Sequence, residues 1–129
     1  MKDNISMIKI QIPATSANLG AGFDALGLAL SYYNYVNMEE ADGIFIKSLD
    51  NTPVPQDESN LVYHTAKTLF EICGHPFHGL SIEQVNNIPM ARGLGSSSAC
   101  IIAGLVGANN LMGKPLGLDD LVNLSAQIE

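Results

Sequence analysis

At 129 residues and a formal charge of −7, the chain is sized for one domain and too acidic to hold a nucleic acid or an anionic membrane through its net field. Apolar residues make up 47% and charged residues 15%, with no low-complexity tract or block of like charge, which excludes a disordered chain and predicts a packed core. The six basic residues, Lys2, Lys9, Lys47, Lys67, Arg92 and Lys114, are scattered, so an anionic ligand has to be held locally, by amides, a metal ion or single side chains.

In chain order, "MIKIQIP" alternates and predicts a strand with Ile8, Ile10 and Ile12 on one face, ended by Pro13. A polar, small-residue loop follows, "ATSANLGAGFDALG". Beyond it "LALSYYNYVNM" and "GIFIKS" (Gly43 to Ser48) read as strands, and the two are expected to pair as a hairpin across "EEADG". Tyr32, Tyr33 and Tyr35 are expected to be strand packing with one face wet. "DNTPVPQDESN" is a surface connection. A helix is predicted from about Ser59 to Cys73, because Leu61/Val62, Thr65/Ala66, Leu69/Phe70 and Cys73 recur every three to four positions and Gly74 and Pro76 stop it. His64 falls on its surface.

"GLSIEQVNN" (Gly79 to Asn87) predicts a further strand, and a helix of roughly Ser97 to Leu111 follows, its small residues calling for close packing against a sheet. That helix carries the longest apolar run, which Gly104, Gly107 and Asn109 interrupt short of the ~20 residues a spanning helix needs. A last helix is predicted over "GLDDLVNLSAQIE", with Asp119 and Asp120 at its N-terminus and Leu118, Leu121, Val122, Leu124 and Ile128 at helical spacing. With Glu129 neither a cap nor followed by a breaker, the sequence is expected to be the N-terminal part of something longer. Cys73 and Cys100 make no disulfide framework and "MKDNISMIKIQIP" has no signal-peptide apolar core, so the expected compartment is the cytoplasm.

Two stretches carry chemistry. In "PMARGLGSSSA" (Pro89 to Ala99), Gly93 and Gly95 open conformations closed to other residues and let a ligand approach the amides. Ser96, Ser97 and Ser98 then stand where a helix starts, and free N–H groups with the helix dipole favour an anion there. The alternative is that these residues only cap a buried helix. No Walker loop occurs in the chain, and "GAGFDA" (Gly20 to Ala25) lies too far from its preceding strand for a dinucleotide fingerprint. In "PATSANLGAGFDALGLAL", hydroxyls, an amide and one carboxylate, Asp24, sit in apolar surroundings. A carboxylate is costly to bury unpaired, so a bound ammonium or hydroxyl is a sensible partner, an Asx-turn the bland alternative. Cys73, His75 and His78 in "CGHPFH" match no tetrahedral zinc spacing.

The two motifs in this order, with a weaker match at "ESNLVYHTA", resemble the GHMP kinase superfamily, and the form of the first resembles its homoserine kinases. The resemblance implies an α+β fold, the N-terminal, ATP-binding domain of that superfamily over residues 1–129, similar to the second domain of ribosomal protein S5, with a mixed or antiparallel sheet and packed helices. The superfamily's C-terminal domain and its carboxylate-clamping arginines are then expected to be missing, Arg92 being the one arginine. The implied reaction is transfer of the γ-phosphoryl group of ATP to the side-chain hydroxyl of L-homoserine, with Mg²⁺. The implied site is Asn18 and Asp24 for substrate, Asn60 and the run Pro89, Met90, Ala91, Arg92, Gly93, Leu94, Gly95, Ser96, Ser97, Ser98 and Ala99 for ATP, and Ser97 with Glu129 for the metal. A kinase for another alcohol such as mevalonate, a non-catalytic nucleotide-binding module, and a homodimer stay open.

Overall fold

A computed structural model describes residues 7–13, 33–50, 53–86 and 96–128. Among these the chain runs β1 (Ile8–Pro13), β2 (Tyr33–Glu40), β3 (Gly43–Ser48), α1 (Leu61–Ile72), β4 (Gly79–Asn86), α2 (Ser96–Leu111) and α3 (Leu118–Ile128). The strands form a mixed sheet in the order β1-β2-β4-β3, with β1 and β4 antiparallel to β2, and β3 parallel to β4.

The expected hairpin between β2 and β3 does not form, because β4 lies between them. β4 buries Leu80, Ile82 and Gln84 in alternation, whereas β3 buries only Ile46 and leaves Phe45 56% exposed. The strand with more to bury takes the interior position, and β3 becomes an edge. Two glycines make the insertion possible. Gly79 pairs in register with Gly43, and its φ of +148° comes with a backbone approach so close that a Cβ on it would land on the Gly43 carbonyl. The amides of Ala41 and Gly43 then bond the carbonyls of Gly79 and His78 at 3.2 and 3.1 Å.

One face of the sheet carries Ile10, Ile12, Val36, Met38, Ile46, Leu80 and Ile82, all buried; each large one stabilises the fold by about 1.5–3 kcal/mol. Against this face lie the two helices whose small residues allow close approach. In α2, Gly104 sits against Val62 and Thr65 of α1, and Gly107 against Met38 and Ile10 of the sheet. The small residues thus serve helix–helix packing as well as the expected sheet contact. On the opposite face Asn37 donates to Glu83 at 3.1 Å and Lys47 pairs with Glu83 at 3.7 Å, a wet polar ladder across three strands.

The helix ends follow the sequence signals. Asn60 caps α1, accepting from the Tyr63 N–H at 3.1 Å. Gly74, at φ +66°, ends it in a Schellman turn: its amide bonds Glu71 O and that of His75 bonds Phe70 O. Between α2 and α3, the buried Asn109 receives the Leu116 amide and donates to the Leu116 carbonyl, both at 3.0 Å, so its side chain fixes the interhelical turn.

Candidate functional site

The strand register brings the end of β1, the start of β2 and the end of β4 to one end of the sheet. Pro13, where β1 ends, pairs with Tyr33, where β2 begins. Asn34 pairs with Asn86, the last residue of β4. In the sequence, residues 14–32, which hold Asn18 and Asp24, separate β1 from β2, and residues 87–95 separate β4 from α2. Asn18, Asp24, Pro89, Met90, Ala91, Arg92, Gly93, Leu94, Gly95 and Glu129 themselves lie outside the described residues.

At this same end the buried face of the sheet turns polar. Met38, Leu80 and Ile82 give way to Asn34 and Gln84, each 3% exposed. Gln84 accepts from Asn60 Nδ2 at 2.7 Å, and its backbone carbonyl accepts the Leu49 amide at 2.8 Å. Asn60 also donates to the Pro55 carbonyl at 2.9 Å. Because Asn60 Oδ1 is committed to the helix cap, its NH₂ group must face Gln84, which fixes the orientation of both amides. The start of α1, the Pro55 segment and the ends of the parallel pair β3 and β4 are thereby tied to one point. In α/β units that end of parallel strands, facing a helix N-terminus, is where ligands bind.

Asn60 is thus a helix cap at this end of the sheet, with its amide hydrogens engaged inside the fold. Gln84, which the sequence did not single out, is the buried partner of that cap. The signal was present: after Leu80 and Ile82, a glutamine at the next inward position of a strand requires a buried partner.

α2 begins at Ser96, where the glycine and serine run predicts it. Ser96, Ser97 and Ser98 occupy its first turn, and Ala99 turns its side chain into the core at 1% exposure. The first amides of a helix have no carbonyl partner within it. α3 carries Asp119 and Asp120 in its first turn, while α1 and α2 carry no acidic residue there and α1 is capped by Asn60. The α2 terminus is suited to an external anion.

The remaining candidates carry no chemistry. His64 is exposed, and the His75 ring rests edge-on against Phe70 at 5.2 Å. No group of three potential metal ligands occurs among the described residues, and no helix among them is long and apolar enough to cross a membrane. Burial pushes the Cys100 thiol above its ordinary range, so it is a poor nucleophile at neutral pH. A cleft of about 460 Å³ along β3 and β4, lined by Phe45, Lys47, Gln56, Ser81 and Glu83, balances its lysine against its glutamate, the two paired at 3.7 Å.

The fold is a mixed four-stranded sheet with helices packed on one face, of the α+β class. Residues 60–129 match the family "GHMP kinases N terminal domain", and the chain belongs to that family. It is 46% identical over 125 residues to the homoserine kinase of Caldicellulosiruptor bescii and 46% identical over 127 residues to that of Petrotoga mobilis. Each match covers 95% of this chain and 41% of the relative, so the chain spans well under half the length of these curated relatives. Its fold is similar to the crystal structure of homoserine kinase from Cytophaga hutchinsonii, with a TM-score of 0.74 at 29% identity over 97% of this chain and 41% of that one. Similarity to the Methanococcus jannaschii mevalonate kinase, TM-score 0.62 at 17% identity over 95% of this chain and 45% of that one, is one of fold.

Proposed function

We propose that this chain is the N-terminal, ATP-binding portion of a homoserine kinase, which phosphorylates the side-chain hydroxyl of L-homoserine in the cytoplasm on the way to threonine. The observation that supports the reading is that the end of β1, the start of β2 and the end of β4, between which the two motif segments fall in the sequence, lie at one end of the sheet with the Asn60–Gln84 tie. The 46% identity to curated homoserine kinases favours this alcohol over mevalonate.

In this reading Gly93 and Gly95 let the ATP phosphates approach the backbone, and the first-turn amides of α2 with Arg92 hold them. Ser97 and Glu129 hold Mg²⁺, which when bound offsets phosphate charge and fixes the phosphate geometry. Asn18 and Asp24 orient homoserine so that its hydroxyl oxygen lies in line with the γ-phosphorus. The new O–P bond forms as the bond to the β,γ-bridging oxygen breaks; ADP leaves and the hydroxyl proton passes to solvent. Asp24 acts as a positioning carboxylate, proximity and charge offset supplying the catalysis.

The test is ADP release from MgATP by the protein expressed from the complete reading frame that encodes this sequence. L-homoserine, mevalonate, galactose and no acceptor are run in parallel. Release with homoserine alone is expected. Release with another acceptor, or with none of them, overturns the substrate assignment.

A further inference from the structure

Gln84 bonds the connection between β3 and α1 through both its backbone and its side chain. Its carbonyl accepts the amide of Leu49, just past β3, at 2.8 Å, and its Oε1 accepts from Asn60 Nδ2, at the start of α1, at 2.7 Å. Asn60 Nδ2 also donates to the Pro55 carbonyl at 2.9 Å, so Leu49, Pro55 and Asn60 are all held at one buried pair. Between Pro55 and Asn60 the chain closes on Asp57. Its carbonyl accepts the Asn60 amide at 3.0 Å, and its carboxylate accepts the Ser59 amide and hydroxyl. Asn60 and Gln84 are 2% and 3% exposed, and a buried pair of this kind is costly to break and holds one geometry. The α1 cap uses only Asn60 Oδ1, which a serine hydroxyl could replace. An apolar residue at position 84 would continue the inward face of Leu80 and Ile82. The amide pair therefore serves something besides the cap and the core.

We infer that Gln84 is a positioning residue for the nucleotide: through Asn60 it latches the connection between β3 and α1 to β4, close to the end of that strand at Asn86. This role rests on the kinase reading above. Ligands of a parallel strand pair sit beyond the C-terminal ends of the strands, and Leu49 and Gln84 are bonded to each other at those ends of β3 and β4. Strand order gives the role its direction. β4 lies between β2 and β3, and in the sequence it leads to the glycine and serine run, whereas the stretch with Asn18 and Asp24 follows β1. The latch joins β4 to its β3 side, away from β1, so it bears on the nucleotide more than on the acceptor. The part in ATP binding that the family resemblance implies for Asn60 is then played through the segment it holds, because its own side chain is committed to Tyr63, Pro55 and Gln84.

The test is steady-state kinetics on the protein expressed from the complete reading frame, with MgATP and L-homoserine varied in turn. Gln84→Leu, and Asn60→Ser, which keeps a cap, are each expected to raise KM for MgATP about fivefold or more, the worth of one hydrogen bond. KM for homoserine should move less than about twofold, below the worth of one such bond. The discriminating variant is Asn60→Ala with Gln84→Leu, which strands no amide and should melt closer to the parent than Asn60→Ala alone. A positioning pair keeps KM for MgATP raised in that variant, whereas a merely structural pair lets KM recover with the melting temperature. An unchanged KM for MgATP in Gln84→Leu, recovery of KM in the double variant, or an equal rise for both substrates overturns the inference. A parent that releases no ADP with any acceptor sinks the kinase reading instead. MgATP titrated calorimetrically into the parent and Gln84→Leu then reads the latch directly: binding weakened about fivefold or more upholds it, and equal binding, or none to either, overturns it.

Discussion

At Gly79 the φ of +148° and the neighbouring Gly43 carbonyl leave no room for a side chain. Gly74 has a φ of +66° but nothing within 4 Å of a built Cβ. Substituting alanine at the two positions therefore separates strain from collision. Gly74→Ala is expected to cost about 1 kcal/mol, the left-handed penalty alone. Gly79→Ala adds displacement of β3 from β4 and is expected to cost on the order of 3 kcal/mol or more. Urea denaturation midpoints of the two variants check the order, and equal midpoints would contradict the close approach. Asp57 offers a pH-dependent counterpart. The hydroxyl and amide of Ser59 donate to its carboxylate at 2.6 and 2.9 Å and hold its pKa below the ordinary 3.8. A carboxyl depressed in the folded state contributes stability above its unfolded value and loses it as pH falls through the folded one. The melting-temperature gap between the parent and Ser59→Ala is thus expected to be constant above about pH 5 and to narrow below pH 4. A gap that widens toward acid would reverse the sign of this assignment.

Among the elements, α1 and its cap show what a buried amide pair does for the site. Asn60→Ala removes the α1 cap and leaves the Gln84 oxygen without its 2.7 Å donor. The expected loss is about 2–3 kcal/mol, near 1 from the cap and the rest from the stranded amide. Asn60→Ala combined with Gln84→Leu should recover part of it, because an apolar pair has nothing to strand; strict additivity in a double-mutant cycle would refute the coupling. The Thr65 hydroxyl, buried with no hydrogen-bond partner, predicts the opposite sign: Thr65→Val should be neutral or stabilising by up to about 1 kcal/mol, read by thermal melts. The elements themselves were legible, because α1 has a strict apolar stripe with a cap and a stop, and β1 and β3 alternate cleanly. The strand order was not. "EEADG" reads as a hairpin turn, and only the pairing of Gly43 with Gly79, 36 positions apart, lets β4 slip between. Of the site, the motifs were legible as motifs. What the sequence hid was that Asn60 faces inward to Gln84, since which strand end meets which helix is a property of the register.

For the molecule as a whole, charge decides how a nucleotide can be held. The chain carries −7 with one arginine, so its long-range field repels ATP, and binding must come from contacts within the Debye length of about 8 Å. The candidate contacts are the first-turn amides of α2, a terminus with no acid of its own. Two consequences follow for the 129-residue chain in a thermal-shift experiment. MgATP, with part of its charge offset, should raise the melting temperature where ATP with EDTA does so far less and Mg²⁺ alone does not. At a hundredfold excess over Kd a native-state ligand adds about 2.7 kcal/mol, roughly 10 °C for a domain of this size. The MgATP shift should also survive an increase from 20 to 150 mM salt, because no extended basic surface exists to be screened. A shift that collapses over that range would put the nucleotide on a diffuse cationic patch, which six scattered basic residues cannot form. No shift with either form would contradict nucleotide binding by this chain.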